Sequence, residues 1–346
     1  MRPSYLKLHA DGGLLKLARQ SKDLLKSCAI CPRKCGINRL KGERGFCKTA
    51  GIARVYNYMP HFGEEPAISG QRGSGTIFFC GCNMACVYCQ NYKFSQLDIN
   101  KNTAPPVIGT KKNPQIKLGK IVTEQELAQF MIELQKQGCN NINLVTPTHV
   151  MPQIINALLI AADQGLRLPL VYNTSGYELP EVIRLLKDIV DIFLVDMRYG
   201  GDEASLKYSN APDYPRYNQA AIISMHQQVG VAQINKQGLI TKGLIIRHLI
   251  LPHNLAQTDK ILRFIAREIS CETYISLMSQ YLPCYKADKF PELSRRISHK
   301  EYVQAQQVMS QLGLLNGWLQ DSRGLVRFAG TNICPMNKVD KTKTGQ

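Results

Sequence analysis

From residue 76 onward, short apolar runs alternate with segments whose apolar positions recur every three or four residues. The runs Thr76–Cys80, Ile142–Val145, Leu168–Tyr172, Ile192–Val195, Leu244–Ile250 and Thr273–Leu277 are too short for helices and predict six strands. Between them, Thr123-Glu124-Gln125-Glu126 is a capping box that opens a helix with Leu127, Phe130, Met131 and Leu134 on one face. Pro152–Asp163, Pro180–Ile189, Asn218–Val229 and Thr258–Ile269 show the same spacing. Ser298–Leu312 begins with a second capping box, Ser298 to Glu301. Sixfold strand–helix alternation implies a parallel sheet with right-handed crossovers. Six units fall short of the eightfold barrel, so the expected fold is α/β, a partial (β/α)6 TIM-like barrel, with a doubly wound sheet as the alternative.

The pattern divides the chain into an N-terminal Cys-rich metal-binding segment (1–60), the barrel core (61–290) and a C-terminal helix and tail (291–346). Residues 100–120, rich in Pro, Lys and Gly, are expected to form a loop, and the last ten to fray. The Gly-rich stretch 70–75 precedes a strand and lacks a Gly-Lys-Ser/Thr ending, so it reads as a tight turn, not a phosphate loop. The first twenty residues show no apolar core followed by a cleavage site, and no run reaches the ~20 apolar residues of a membrane span. The expectation is a cytoplasmic protein without a membrane partner.

Composition adds charge and sulfur. There are 43 Lys and Arg against 26 Asp and Glu, a formal +17. Residues 1–50 hold 12 basic and 3 acidic side chains. This is either a solvated basic surface or a patch for nucleic acid or another acidic partner. Eight of the twelve cysteines fall between residues 28 and 89. In a long chain without a signal, such clustering points to metal chemistry rather than to disulfides.

Directly after the first predicted strand, Cys82, Cys86 and Cys89 stand at x3 and x2 spacing. Three thiolates in one short loop can grip a [4Fe–4S] cubane and leave one iron open to a substrate. The rival is zinc, with Cys80 as fourth ligand; otherwise Cys80 is an inert strand-end thiol. Cys28, Cys31, Cys35 and Cys47 form a second group, suited to one closed zinc or an accessory iron–sulfur cluster. Cys139, Cys271, Cys284 and Cys334 stand singly and read as buried small hydrophobes, with Cys284 facing the predicted mouth. Polar residues at the strand ends, Thr146 to His149, Asn173 to Ser175, Asp196 to Arg198 and Ser279 to Tyr281, fall where barrel enzymes build their sites. His61, Glu64 and Glu65 precede the first strand and are candidates for the same mouth, while His248 reads as a core histidine.

The string GTIFFCGCNMACVYCQNY, with Tyr88 before the last cysteine, resembles the radical S-adenosylmethionine (SAM) superfamily. In particular it is similar to an uncharacterised branch near pyruvate formate-lyase activating enzymes that carries an N-terminal cysteine-rich segment. PHFGEEPAISG (60–70), DIFLVDMRY (191–199), GLIIRHLILP (243–252) and SLMSQYLPCY (276–285) resemble that branch as well. The resemblance implies a [4Fe–4S] cluster on Cys82, Cys86 and Cys89, with SAM bound at its open iron. It also implies reductive cleavage to a 5′-deoxyadenosyl radical and hydrogen abstraction from a substrate, such as a glycine of a partner protein. A flavodoxin or ferredoxin would be the reductant. Tyr88, Asn173, Thr174, Asp196 and Arg198 fall at cofactor-binding positions, with Arg198 where the family's motif has Lys. Val145-Thr146-Pro147-Thr148 replaces the Gly-Gly-Glu that usually receives the SAM amino group. RNA as substrate, and a non-catalytic iron–sulfur or zinc protein, are the alternative functions.

Overall fold

The computed structural model describes residues 2–97 and 119–319. Cys334, most of the 100–120 stretch and the last ten residues lie outside them. Strands in chain order are β1 (Ala53–His61), β2 (Ser74–Phe79), β3 (Lys120–Val122), β4 (Ile142–Val145), β5 (Leu170–Thr174), β6 (Ile192–Asp196), β7 (Gln233–Ile234), β8 (Ile240–Leu249), β9 (Tyr274–Met278) and β10 (Gly317–Leu319). The sheet runs β10-β9-β8-β6-β5-β4-β2-β1-β3, with β7 an antiparallel ribbon on β8. From β2 to β10 every neighbouring pair in that order is parallel, and the six predicted strands are all there in the expected sequence. The fold is α/β with a mostly parallel sheet, consistent with a partial barrel.

Alternation sorts each strand's side chains into two layers. Ile77, Leu144, Tyr172, Phe193, Leu244 and Ile275 point toward the helices and join the main core. Val171, Ile192, Leu194 and Ile245 pack on the opposite, concave face. The next residues along that inner row are polar: Asn173 follows Val171, Asp196 follows Leu194, and Arg247 follows Ile245. Both faces are covered, so the strands read as continuous apolar runs and period two is masked in the sequence.

Several elements differ from expectation. Antiparallel β1 and β3 extend the sheet beyond β2, and short β10 adds a further parallel strand at the other end. Strand β1 contains Pro60, which is tolerated because β3 pairs only with Ala53–Val55 and leaves that stretch of edge open among the described residues. The helix expected over 180–189 stops at Arg184, and the one expected over 258–269 is α-helical to Phe264 and then widens to a π-turn over Ile265–Ile269. Two N-terminal helices, Tyr5–Ala10 and Gly13–Asp23, pack on the helix Met151–Asp163. Asp191 anchors them by accepting the Ser4 and Leu170 N–H groups at 2.8 and 3.0 Å.

Candidate active site

The loop that follows β2 turns back over the carboxyl ends of the strands. Its backbone is held by the end of the helix Asp202–Ser209: the Ala85 and Val87 N–H groups donate to the Ser209 and Tyr208 carbonyls at 2.9 and 2.8 Å. All three sulfurs are hydrogen-bonded. Cys82 Sγ accepts the Met84 N–H at 3.4 Å, Cys86 Sγ accepts the Ser209 hydroxyl at 3.0 Å, and Cys89 Sγ lies 3.1 Å from the Ser95 hydroxyl. Tyr88, Tyr199 and Ser209 form a buried hydroxyl chain, 2.6 Å at each link, that ends on Cys86. Burial raises the Cys82 and Cys89 thiols, Cys89 to about 11, and Cys86 adds to it. Metal binding at these sulfurs therefore releases protons.

Beside the loop opens a cavity of about 170 Å³ lined by Tyr88, Cys89, Asn173, Asp196, Arg198 and Arg247, with Glu64 and Glu65 closing its wall. Arg247 organises it. Its guanidinium donates to Asp196 at 2.9 Å, to Glu64 at 3.1 Å and to Asn173 at 2.6 Å. Arg198 pairs with the other oxygen of Asp196 at 2.6 Å and reaches Cys86 Sγ at 3.8 Å. Burial works against the Asp196 carboxylate, but Arg247 and Arg198 outweigh it and hold the group below its usual range. Burial raises Glu64 and Glu65, only partly opposed by Arg247. Asp196 is thus an ionised acceptor between two guanidiniums, while Glu64 and Glu65 are pushed toward their neutral forms.

A model of the radical SAM superfamily matches residues 76–265. The uncharacterized protein MJ0674 of Methanocaldococcus jannaschii is 30% identical over 85% of this chain and 77% of its own length. The uncharacterized protein MJ0808 of the same organism is 23% identical over 79% and 78%. A solved structure of TYW1 with a lysine-pyruvate adduct bound covers 70% of this chain and 74% of that one, at 10% identity and a TM-score of 0.39. The chain belongs to the radical SAM superfamily. That membership implies a [4Fe–4S] cluster and SAM. The donor set fits such a cluster: three soft sulfurs on one loop, each supplied with a hydrogen bond, beside a cavity lined by carboxyls and guanidiniums.

Of the residues proposed for this radical SAM site, Cys82, Cys86, Cys89, Tyr88, Asn173, Asp196 and Arg198 come together at the mouth. Thr174 does not. It lies on the other face of β5, where its hydroxyl and that of Thr148 donate to the buried Glu178. Cys80 packs in an apolar cluster with Phe78, Phe94 and Val145. Cys284 donates to the Tyr88 carbonyl at 3.3 Å, Cys139 is buried, and Cys271 is exposed. His248 is a core residue, bonded to the Met197 carbonyl and the Thr258 hydroxyl. Sequence reasoning missed Arg247, whose signal is a lone cation inside an apolar strand run. It also missed Arg33, which reaches from the cysteine segment to the Asn83 and Asn210 carbonyls of the cluster loop and its support.

Proposed function

We propose that this protein is a glycyl-radical activase, taking its hydrogen atom from a glycine of a partner protein. A cluster held by Cys82, Cys86 and Cys89 would pass one electron to bound SAM, which would supply a 5′-deoxyadenosyl radical with methionine as the leaving group. The observation that carries the proposal is the juxtaposition of the three sulfurs of Cys82, Cys86 and Cys89 with a carboxyl-rich cavity. SAM has an ammonium that carboxyl oxygens can receive and a carboxylate that a guanidinium can receive, and the cavity offers both kinds of group. Arg198 and Arg247 fix Asp196 as an ionised acceptor, and Tyr88 walls the cavity next to Cys89. Cys80, turned into its apolar cluster, supports an open iron over a fourth protein sulfur. Resemblance of the flanking strings to activating enzymes favours the glycine substrate, a flavodoxin or ferredoxin reductant and a cytoplasmic setting. No helix of the described residues is long and apolar enough to cross a membrane.

RNA as substrate rests on the basic N-terminal segment. Arg33 and Arg39 of that segment turn inward, to backbone carbonyls, and weaken that reading. The decisive experiment is anaerobic reconstitution, reduction and chromatography for 5′-deoxyadenosine, followed by electron paramagnetic resonance on candidate partners. A reduced, cluster-loaded sample that leaves SAM intact would sink the radical mechanism. Cleavage of SAM with no partner glycyl radical would sink the activase reading alone.

A further inference from the structure

The cysteine segment meets the barrel at a second cavity, lined by Cys28, Cys31, Cys35, Cys47, Arg39 and His149. We propose that this cavity is a zinc site in which His149 Nδ1 is a ligand beside three of the four cysteine thiolates.

His149 follows β4 and is 2% exposed. Its Nε2 lies 2.8 Å from the Cys80 carbonyl. A carbonyl only accepts, so Nε2 carries the ring proton and Nδ1 carries the lone pair. Nδ1 is buried and has no hydrogen-bond partner. A histidine in the wall of a cysteine-lined cavity that donates one N–H to a backbone carbonyl and leaves its other nitrogen bare has the form of a metal ligand.

Arg39 supplies an independent argument. It is 1% exposed, and Nε and Nη2 donate to the Ala50 carbonyl at 3.1 and 2.8 Å. Among the described residues no carboxylate forms an ion pair with it, and Nη1 stands 3.9 Å from Cys28 Sγ. A buried cation needs a nearby anion, and the thiolates are the groups able to provide it. Zinc with three thiolates and a neutral imidazole has a net charge of about −1, opposite in sign to the guanidinium.

As the side chains stand, the cavity has about 10 Å³, room for one atom-sized guest. Zinc takes four sulfur and nitrogen ligands tetrahedrally. Among the described residues, no three His, Cys, Asp or Glu side chains are yet gathered about one point at metal-holding geometry. The ion must therefore draw the thiols inward. Once bound, it would tie the N-terminal segment to the barrel through the residue that grips the Cys80 carbonyl, two positions before Cys82.

Zinc-edge X-ray absorption on the full-length holoenzyme, purified without oxygen, reads the ligands directly. The expected result is about one zinc per chain with three sulfurs and one nitrogen. His149→Ala is expected to lose the nitrogen signal and to release zinc to a chelator at least about tenfold more readily, and His149→Cys to restore retention with four sulfurs. Absence of zinc, an all-sulfur shell in the unmodified chain, or iron at this site in a chain whose Cys82, Cys86 and Cys89 are replaced by Ala overturns the proposal. The absorption spectrum of the unmodified chain separates these outcomes even if a variant fails to fold.

Discussion

Glu178 and Arg247 show how burial sets the behaviour of single side chains. Burial pushes the Glu178 carboxyl from 4.5 up to about 7, against hydrogen bonds from Thr148 and Thr174. Between those pH values the unfolded chain ionises and the native one does not. Stability therefore falls as pH rises through that window and levels off above about 7. Glu178→Gln should flatten the slope and add up to about 3 kcal/mol at pH 8, read from urea unfolding at pH 5 and pH 8. An unchanged slope would remove Glu178 as its source. Arg247→Met should lower stability by up to about 3–5 kcal/mol, because Glu64 loses its cation and Asp196 keeps Arg198 alone. Calorimetry of SAM binding to the same variant should show a loss if the cavity holds that molecule. The cysteine triad, Asn173 and Asp196 were legible in the sequence from spacing and strand-end position. Thr174 faces away from that mouth because neighbouring strand residues face opposite ways. Arg33 and His149 acquire their surroundings only when the cysteine segment folds against the barrel, so no local pattern could have marked their contacts.

At the scale of elements, agreement follows how local the determinant is. Both capping boxes form as read: Thr123 and Ser298 each accept the N–H of the Glu three residues on, and that Glu returns to the cap's N–H. Thr123→Ala should cost about 1 kcal/mol, measured by chemical denaturation. A loss of only a few tenths would mean that packing of Leu127 and Met131 sets this helix's end. The six parallel strands were legible because each is an apolar run bounded by turns. Strand β1 was not, since it carries Asn57 and Pro60 and a register shift between Val55 and Asn57. The π-turn over Ile265–Ile269 has no apolar signature distinct from an α-helix, so the sequence extends the helix through it.

Over the whole molecule, contacts distant in sequence bind the N-terminus, the sheet and the mouth together. Asp191 links residue 4 to the start of β5, and Tyr5 donates to the Leu168 carbonyl at 3.1 Å. Asp191→Ala should cost about 1–3 kcal/mol by stranding the buried Leu170 N–H. Hydrogen exchange should accelerate over residues 4–10; unchanged protection there would show that the helices dock without it. Arg247 performs the corresponding task at the opposite end, where one guanidinium answers to groups from β5, β6 and the turn after β1. Its neighbours therefore cannot be tallied one by one. Substituting Glu64 and Asp196 together should give an effect different from the sum of the two separate effects, since each substitution changes how strongly the shared cation holds what remains. The mouth is thus a mutual dependence between distant stretches of chain: what a replacement at Glu64 costs should depend on what stands at Asp196, more than a hundred residues away.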